Sequence, residues 1–258
     1  LATLPAYYSS PVARDNYKGI AAWLAATGNP ATDLVILDAP GQADAWAVYD
    51  PGIPVLALPG QRPADAAATQ AALAAAVAGK QTVYALYWAI DEADPQGLVE
   101  AWLDAHLFPG AQQWQGNVRL ARYAQPPPLE CRSAGRSLGA VTLAELCTPS
   151  LPLTVEAGAP LVLELVWQAS TPLTETLHAS VQMLDARNQV VAQHDAAPSG
   201  DQHPSTAWQP GESIADNHAL LVPAGTPPGE YRLVAALYDA VTGARLAENV
   251  VQHHPIGG

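Results

Sequence analysis

The chain has almost no lysine: Lys18 and Lys80 are the two in 258 residues, and Lys and Arg together number 11 against 24 Asp and Glu. The net charge of -13 excludes a basic face for nucleic acid. It fits a surface that stays dissolved and monomeric by self-repulsion. Long apolar runs are also missing. A bilayer span needs about 20 residues, and the alanine-rich segment Ala64 to Gly79 is interrupted by Asp65, Thr69 and Gln70. No basic start followed by an apolar stretch marks a signal peptide. The first residue is Leu1, not methionine, and the chain reads as a piece of something longer.

Phosphate cradles are lacking too. After Asp38 the sequence runs APGQADAW, with neither GxGxxG nor GxxxxGK[ST], so no nucleotide and no other cofactor is expected. Cysteine is limited to Cys131 and Cys147, and neither has a CxxC partner, which argues against zinc. The two flank one short strand-like run in a context that reads as extracytoplasmic. A disulfide is the expectation, with two reduced, buried thiols as the alternative.

What is present falls into two halves. In the first, residues 1–125, helical faces alternate with short apolar runs. Tyr17, Ile20, Ala21 and Leu24 share one face of a helix that Gly28 ends. Leu34 to Leu37 is a continuous apolar run, as in a strand buried on both sides. Further strands are predicted at Pro54 to Leu58, Thr82 to Ile90 and Asn117 to Tyr123. Helices are predicted between them, one starting at Pro63 and one at Asp94-Pro95. That alternation predicts a small, mostly parallel α/β domain of Rossmann-like type. Ligands in such sheets bind beyond the carboxyl ends of the strands. Asp38, Asp91, Glu92 and Asp94 fall there. They are candidates for acid–base chemistry, or more plainly a solvated acidic rim with Asp94 capping a helix.

The run QPPPL at 125–129 is stiff and extended, and it sets the boundary. In residues 126–258 the period changes to two. Leu161, Leu163, Leu165 and Trp167 alternate with Val162, Glu164 and Val166. Leu177 to Met183 and Tyr231 to Leu237 behave likewise. Turn signals at Arg187-Asn188, Pro210-Gly211, Pro228-Gly229 and Thr242-Gly243 separate the runs. An antiparallel β-sandwich of immunoglobulin or jelly-roll type is predicted.

Gly135-Arg136-Ser137-Leu138-Gly139 matches the GxSxG nucleophile pattern but lacks the strand before and helix after that the pattern requires. The densest polar stretch is Gln193 to Val222, between strand-like runs, and loops held by a scaffold often carry function. His194, His203 and His218 with Asp195, Asp201 and Asp216 could hold a metal, although their spacing fits no compact template. Trp208 could stack on a sugar ring or plug one end of the core. Asp195, His203, Trp208, Asp216 and His218 are the candidate ligand residues.

Segments in both halves carry a family likeness: NYKGIAAWLAA, DLVILDAPGQ, YALYWAIDEADPQGLVEAWL and WQGNVRLARY, then LVLELVWQA, HDAAPSGDQHPSTAWQPGESIADNHALLVP and PPGEYRLVAALYDAVTGARL. Together they resemble the C-terminal extracytoplasmic region of bacterial membrane glycosyltransferases of family 39, the class of protein O-mannosyltransferases and aminoarabinose transferases. The resemblance implies a parent enzyme embedded in the membrane that draws on a polyprenyl-phosphate-linked sugar, with this piece on the extracytoplasmic face. Its implied partners are the membrane part of the same polypeptide and a glycan or polypeptide acceptor. The family's catalytic acids lie in an N-terminal loop with no counterpart here, so the resemblance carries over no catalytic residue. The expected role is acceptor recognition or stability without catalysis. The alternatives are a carbohydrate-binding β-sandwich module and a free-standing glycoside hydrolase using its acidic residues.

Overall fold

A computed structural model describes residues 15–150, 153–200 and 203–256, with backbone only over 247–256. The elements run α1 Tyr17–Thr27, β1 Asp33–Asp38, α2 Ala43–Ala47, β2 Val55–Leu58, α3 Ala66–Val77, β3 Thr82–Tyr87, α4 Ile90–Ala93, α5 Leu98–His106, β4 Phe108–Gln115 and β5 Val118–Ala124. Then follow β6 Glu130–Leu138, β7 Val141–Thr148, β8 Pro160–Ala169, β9 Leu177–Leu184, β10 Val190–Ala196, β11 Ser213–Leu221, β12 Gly229–Asp239 and β13 Arg245–Ile256.

The chain forms two compact units. The first comprises the described residues through Ala105 together with Gln112–Tyr123; the second comprises His106–Ala111 and the described residues from Ala124 on. In the first unit β1 pairs in parallel with β2 on one side and β3 on the other. Every residue of β1 and β3 is buried, which is why both read as unbroken apolar runs. Asn16 caps α1 by accepting from the Gly19 amide at 3.0 Å. Gly28 ends the helix because the space is full: a Cβ there would stand 2.8 Å from the Leu24 carbonyl oxygen and collide with Ile53.

The second unit is two antiparallel sheets, β11-β8-β7-β6 and β10-β9-β12-β13, that share one core. Leu143, Leu165 and Trp167 from the first sheet meet Val181, Met183, Leu233 and Leu237 from the second. Period-two alternation produces this directly, since paired residues on neighbouring strands point the same way. Cys131 and Cys147 face each other across the β6–β7 ladder and form the disulfide. No helix among the described residues is long and apolar enough to cross a membrane.

The expected fold class, a mostly parallel Rossmann-like α/β domain followed by a self-contained sandwich, is corrected by this architecture. Strand takes 42% of the chain and helix 21%. The helices among the described residues are short, at most 12 residues, too few to coat a sheet on both faces. Two segments outside the predicted elements add strand. Phe108–Gln115, with its Pro109-Gly110 pair, is strand β4, and the polar run Glu130–Leu138 is the exposed edge strand β6.

The disulfide spans 16 residues, and a loop of that size restricts the unfolded chain by about 3 kcal/mol. Reducing the protein should therefore lower the unfolding free energy of the second unit by about that amount, seen as a lower urea midpoint by tryptophan fluorescence with and without reductant.

Candidate functional site

Sequence candidates end up in three places. The first is the core of the second unit. Asp216 and His218 sit two apart on β11, opposite Leu165 and Leu163, so both side chains enter the core. His194 enters it from β10, opposite Val181. Trp167 Nε1 donates to Asp216 Oδ2 at 2.7 Å. His218 Nε2 stands 2.9 Å from the same oxygen without meeting hydrogen-bond geometry. His218 Nδ1 lies 2.9 Å from His194 Nδ1, so one ring must donate and the other accept. The line Trp167–Asp216–His218–His194 crosses from one sheet to the other, and its three titratable groups are all at most 3% exposed. Burial, and then the neighbouring His218, push His194 down to about 3, so this imidazole stays neutral in the fold.

The other candidates of the polar stretch scatter. Trp208 is 2% exposed and belongs to the core, with its Nε1 donating to the His203 carbonyl at 3.2 Å; it offers no face to a sugar. His203 pairs instead with Glu212 at 3.1 Å on the surface. Asp201 lies outside the described residues. Of the described members of the six, His194, His218 and Asp216 meet in the core while Asp195 and His203 lie on the surface, so these five do not form one site. Among the described residues, the metal-capable group of three is Cys131, Glu145 and Cys147, and its sulfurs are already bonded to each other.

The second place is the carboxyl end of the parallel strands. The four acids divide there. Asp91 and Glu92 are exposed in the first turn of α4. Asp38 and Asp94 are buried, at 1% and 2%. Asp94 Oδ2 accepts from the Val99 amide at 2.9 Å at the start of α5, which is its capping role. Oδ1 of each buried acid has no partner. Burial first, then Asp94 and Glu100, push Asp38 up to about 8, with Arg119 opposing. Arg119 is held by both oxygens of Glu100 and lies 4.2 Å over the Tyr87 ring. Ser137, the hydrolase pattern's nucleophile, is exposed on β6 and donates weakly to the Gly139 carbonyl at 3.4 Å. Acid, base and nucleophile are nowhere assembled among the described residues.

The third place was not singled out from the sequence, except for Asp195. It is the outward face of β10-β9-β12. His178, Ser180 and Gln182 point out from β9. Gln193 and Asp195 stand opposite Gln182 and Ser180 on β10. Tyr238 stands opposite His178 on β12, the two rings crossing at 67° with centroids 5.7 Å apart. Ser180 and its β12 partner Ala236 are small, and although they face outward they are only 8% and 4% exposed. The larger side chains of this face therefore stand above these two. Burial and then Asp195 push the Tyr238 hydroxyl up from its ordinary value. Gln193 Nε2 donates to Asp195 Oδ2 at 3.3 Å. The signal was available in the alternation: these are the polar positions between the apolar ones of three adjacent strands.

No family model matches the chain, and no curated protein matches it. Among solved structures, the C-terminal domain of Wzt is similar at 9% identity, over 52% of this chain and 80% of that one, with a TM-score of 0.37. A β-glucosidase from Listeria innocua in complex with glucose is similar at 13% identity, over 52% of this chain and 17% of that one, with a TM-score of 0.29. The Bacteroides uniformis β-glucuronidase 2 matches at 15% identity, over 51% and 15%, with a TM-score of 0.30. Likeness at this level identifies neither a family nor a ligand.

Two opposite pH responses follow from the buried groups. Asp38 has a folded value of about 8 against 3.8 unfolded, so the folded state holds the extra proton between them. The stability it confers is full below about pH 4 and is lost as pH rises through 8, by at most about 1.4 kcal/mol per pH unit. Asp38→Asn should flatten that loss, as measured by amide exchange of β1 and β3 peptides across pH. His194 has a folded value of about 3 against 6.5, so its contribution is full above 6.5 and lost as pH falls toward 3. His194→Asn should flatten this acid limb, read in the exchange of β9 and β10 peptides.

Proposed function

We propose that this chain is a non-catalytic, carbohydrate-binding part of a larger extracytoplasmic protein, and that the outward face of β10-β9-β12 is where glycan binds. One observation carries the reading: the Tyr238–His178 ring pair shares one outward face with Gln182, Gln193 and Asp195 and with the small Ser180 and Ala236. Sugars present C–H faces that stack on aromatic rings and hydroxyls that pair with planar amides and carboxylates. A few convergent polar groups beside an apolar surface are what orient a small ligand. Rigid strands, not loops, hold all of them, so little ordering is needed on binding.

The disulfide supports placement outside the cytoplasm. The resemblance to the extracytoplasmic region of family 39 glycosyltransferases gives the reading a context: the piece would hold acceptor glycan for a membrane-embedded transferase fed by a polyprenyl-phosphate-linked sugar. We do not propose hydrolysis by this chain alone, since Asp91 is exposed, Asp94 caps a helix and the Ser137 hydroxyl donates to the Gly139 carbonyl.

The test is a glycan array followed by titration calorimetry on the best oligosaccharide. Tyr238→Ala should weaken binding at least tenfold while the circular dichroism spectrum is kept, whereas Trp208→Phe should leave the affinity within about threefold, because that indole is in the core. An array without any ligand, or a Tyr238→Ala protein that binds as before, would end the proposal.

A further inference from the structure

The sulfur bridge between β6 and β7 has a third metal-capable group beside it. We infer that reduction of Cys131–Cys147 opens a zinc site on the outward face of these strands, with both thiolates and the Glu145 carboxylate as its protein ligands. The site is independent of the carbohydrate reading. Three observations lead there. Cys131 and Cys147 are direct register partners on antiparallel strands, so both side chains leave the ladder on the same side. Leu146 enters the core, so alternation sends Glu145 and Cys147 together the other way. One ligand atom from each of the three, the two sulfurs and a carboxylate oxygen, lie within 4.8 Å of one another.

That spread suits a shared ion. With Zn–S bonds of about 2.3 Å and tetrahedral angles, two thiolates stand about 3.8 Å apart. The sulfurs reach that spacing by side-chain rotation once their bond is broken. Two thiolates select a borderline-soft ion over calcium or magnesium, and a carboxylate is an ordinary third ligand for zinc. The fourth position remains for water. Glu164 stands opposite Cys147 on β8, so a second acid shares this face. Access decides where the bridge opens: Cys131 is exposed on β6, whereas Cys147 is buried. The thiolate of a dithiol reductant bonds to the Cys131 sulfur, and Cys147 leaves as a thiolate. The reductant's second thiol then closes its own disulfide and releases Cys131. Two electrons pass to the protein, and the reductant's two protons end on the two cysteines. Zinc displaces those protons to solvent as it binds. The ion then ties β6 to β7 where the covalent bond did.

The test measures zinc uptake by the whole chain, oxidised and after reduction with dithiothreitol that is removed under argon, in competition with a chromophoric chelator. The reduced protein should take up one zinc ion with a Kd at or below about 1 µM, and the oxidised protein should bind at least about a hundredfold more weakly. Cobalt(II) in place of zinc should show thiolate-to-metal charge transfer in the reduced protein alone. Glu145→Gln, which leaves both cysteines in place, should weaken the reduced protein's zinc affinity at least about tenfold. Glu130→Gln, which removes the same charge from the residue next to Cys131, should leave it unchanged. Zinc should also raise the urea midpoint of the reduced protein and leave that of the oxidised protein where it is. A reduced protein that takes up no zinc, an oxidised protein that takes it up equally, or a Glu145→Gln protein that binds as tightly as its parent would overturn the inference. The last comparison also covers a reduced chain that has lost its fold, because unfolded thiols would bind zinc without regard to Glu145.

Discussion

A buried carboxylate in an apolar core has to be satisfied or it will not stay there, and Asp216 sets the order of the second unit for that reason. Its Oδ2 takes the indole N–H of Trp167 and the close approach of His218 Nε2, and His218 reaches His194 on the other sheet. Removing any partner leaves a polar group stranded in the core. The line therefore fixes more than a distance between sheets. His194 lies on β10, an edge strand whose ladder to β9 contains an irregularity between Val190 and Ala192. A slip of one residue along that edge would exchange its inward and outward faces. With His194 tied inward, Gln193 and Asp195 must point outward. The buried polar contact thus determines that the outward face carries an amide and a carboxylate at all.

The middle of that outward face is kept low. Ser180 and Ala236 are paired neighbours on the two central strands of that sheet. Larger residues at either position would stand level with Tyr238 and Gln182. On the opposite side of the same strands, Ala179, Val181 and Leu237 fill the core, so the small outward residues are not required by the packing beneath them. Their size is free to serve the surface.

Much of this was legible in the sequence where burial is uniform along an element. The helix face of Tyr17, Ile20, Ala21 and Leu24, the runs of β1 and β3, and the alternation of β8, β9 and β12 all follow from a single period. The expected fold class failed where local signals and tertiary pairing disagree. Gly110, beside a proline, carries no strand signal of its own, yet it pairs with Ala219 of β11, a partner more than a hundred residues away. β6 has no apolar alternation because it is an exposed edge, held through the disulfide and its ladder to β7. Asp38 at the end of an apolar run looks like a solvated rim; it is buried, within electrostatic reach of Glu100 of α5 and Arg119 of β5, which sequence spacing does not reveal.

The polar stretch from Gln193 to Val222 illustrates the general difficulty. Its density of histidine and aspartate suggested one site, but strand alternation deals consecutive residues to opposite faces. His194 goes to the core, while Gln193 and Asp195 go to the surface. Trp208 goes to the core and His203 to a surface pair with Glu212. Residues close in sequence share chemistry only when they share a face: Asp195 takes its bond from Gln193, two residues away on the same outward face, and stands opposite Ser180 of β9. A sheet surface is read across its strands, and for that the register is needed; here the register is held by the contact between His194 and His218 on the far side of the strand.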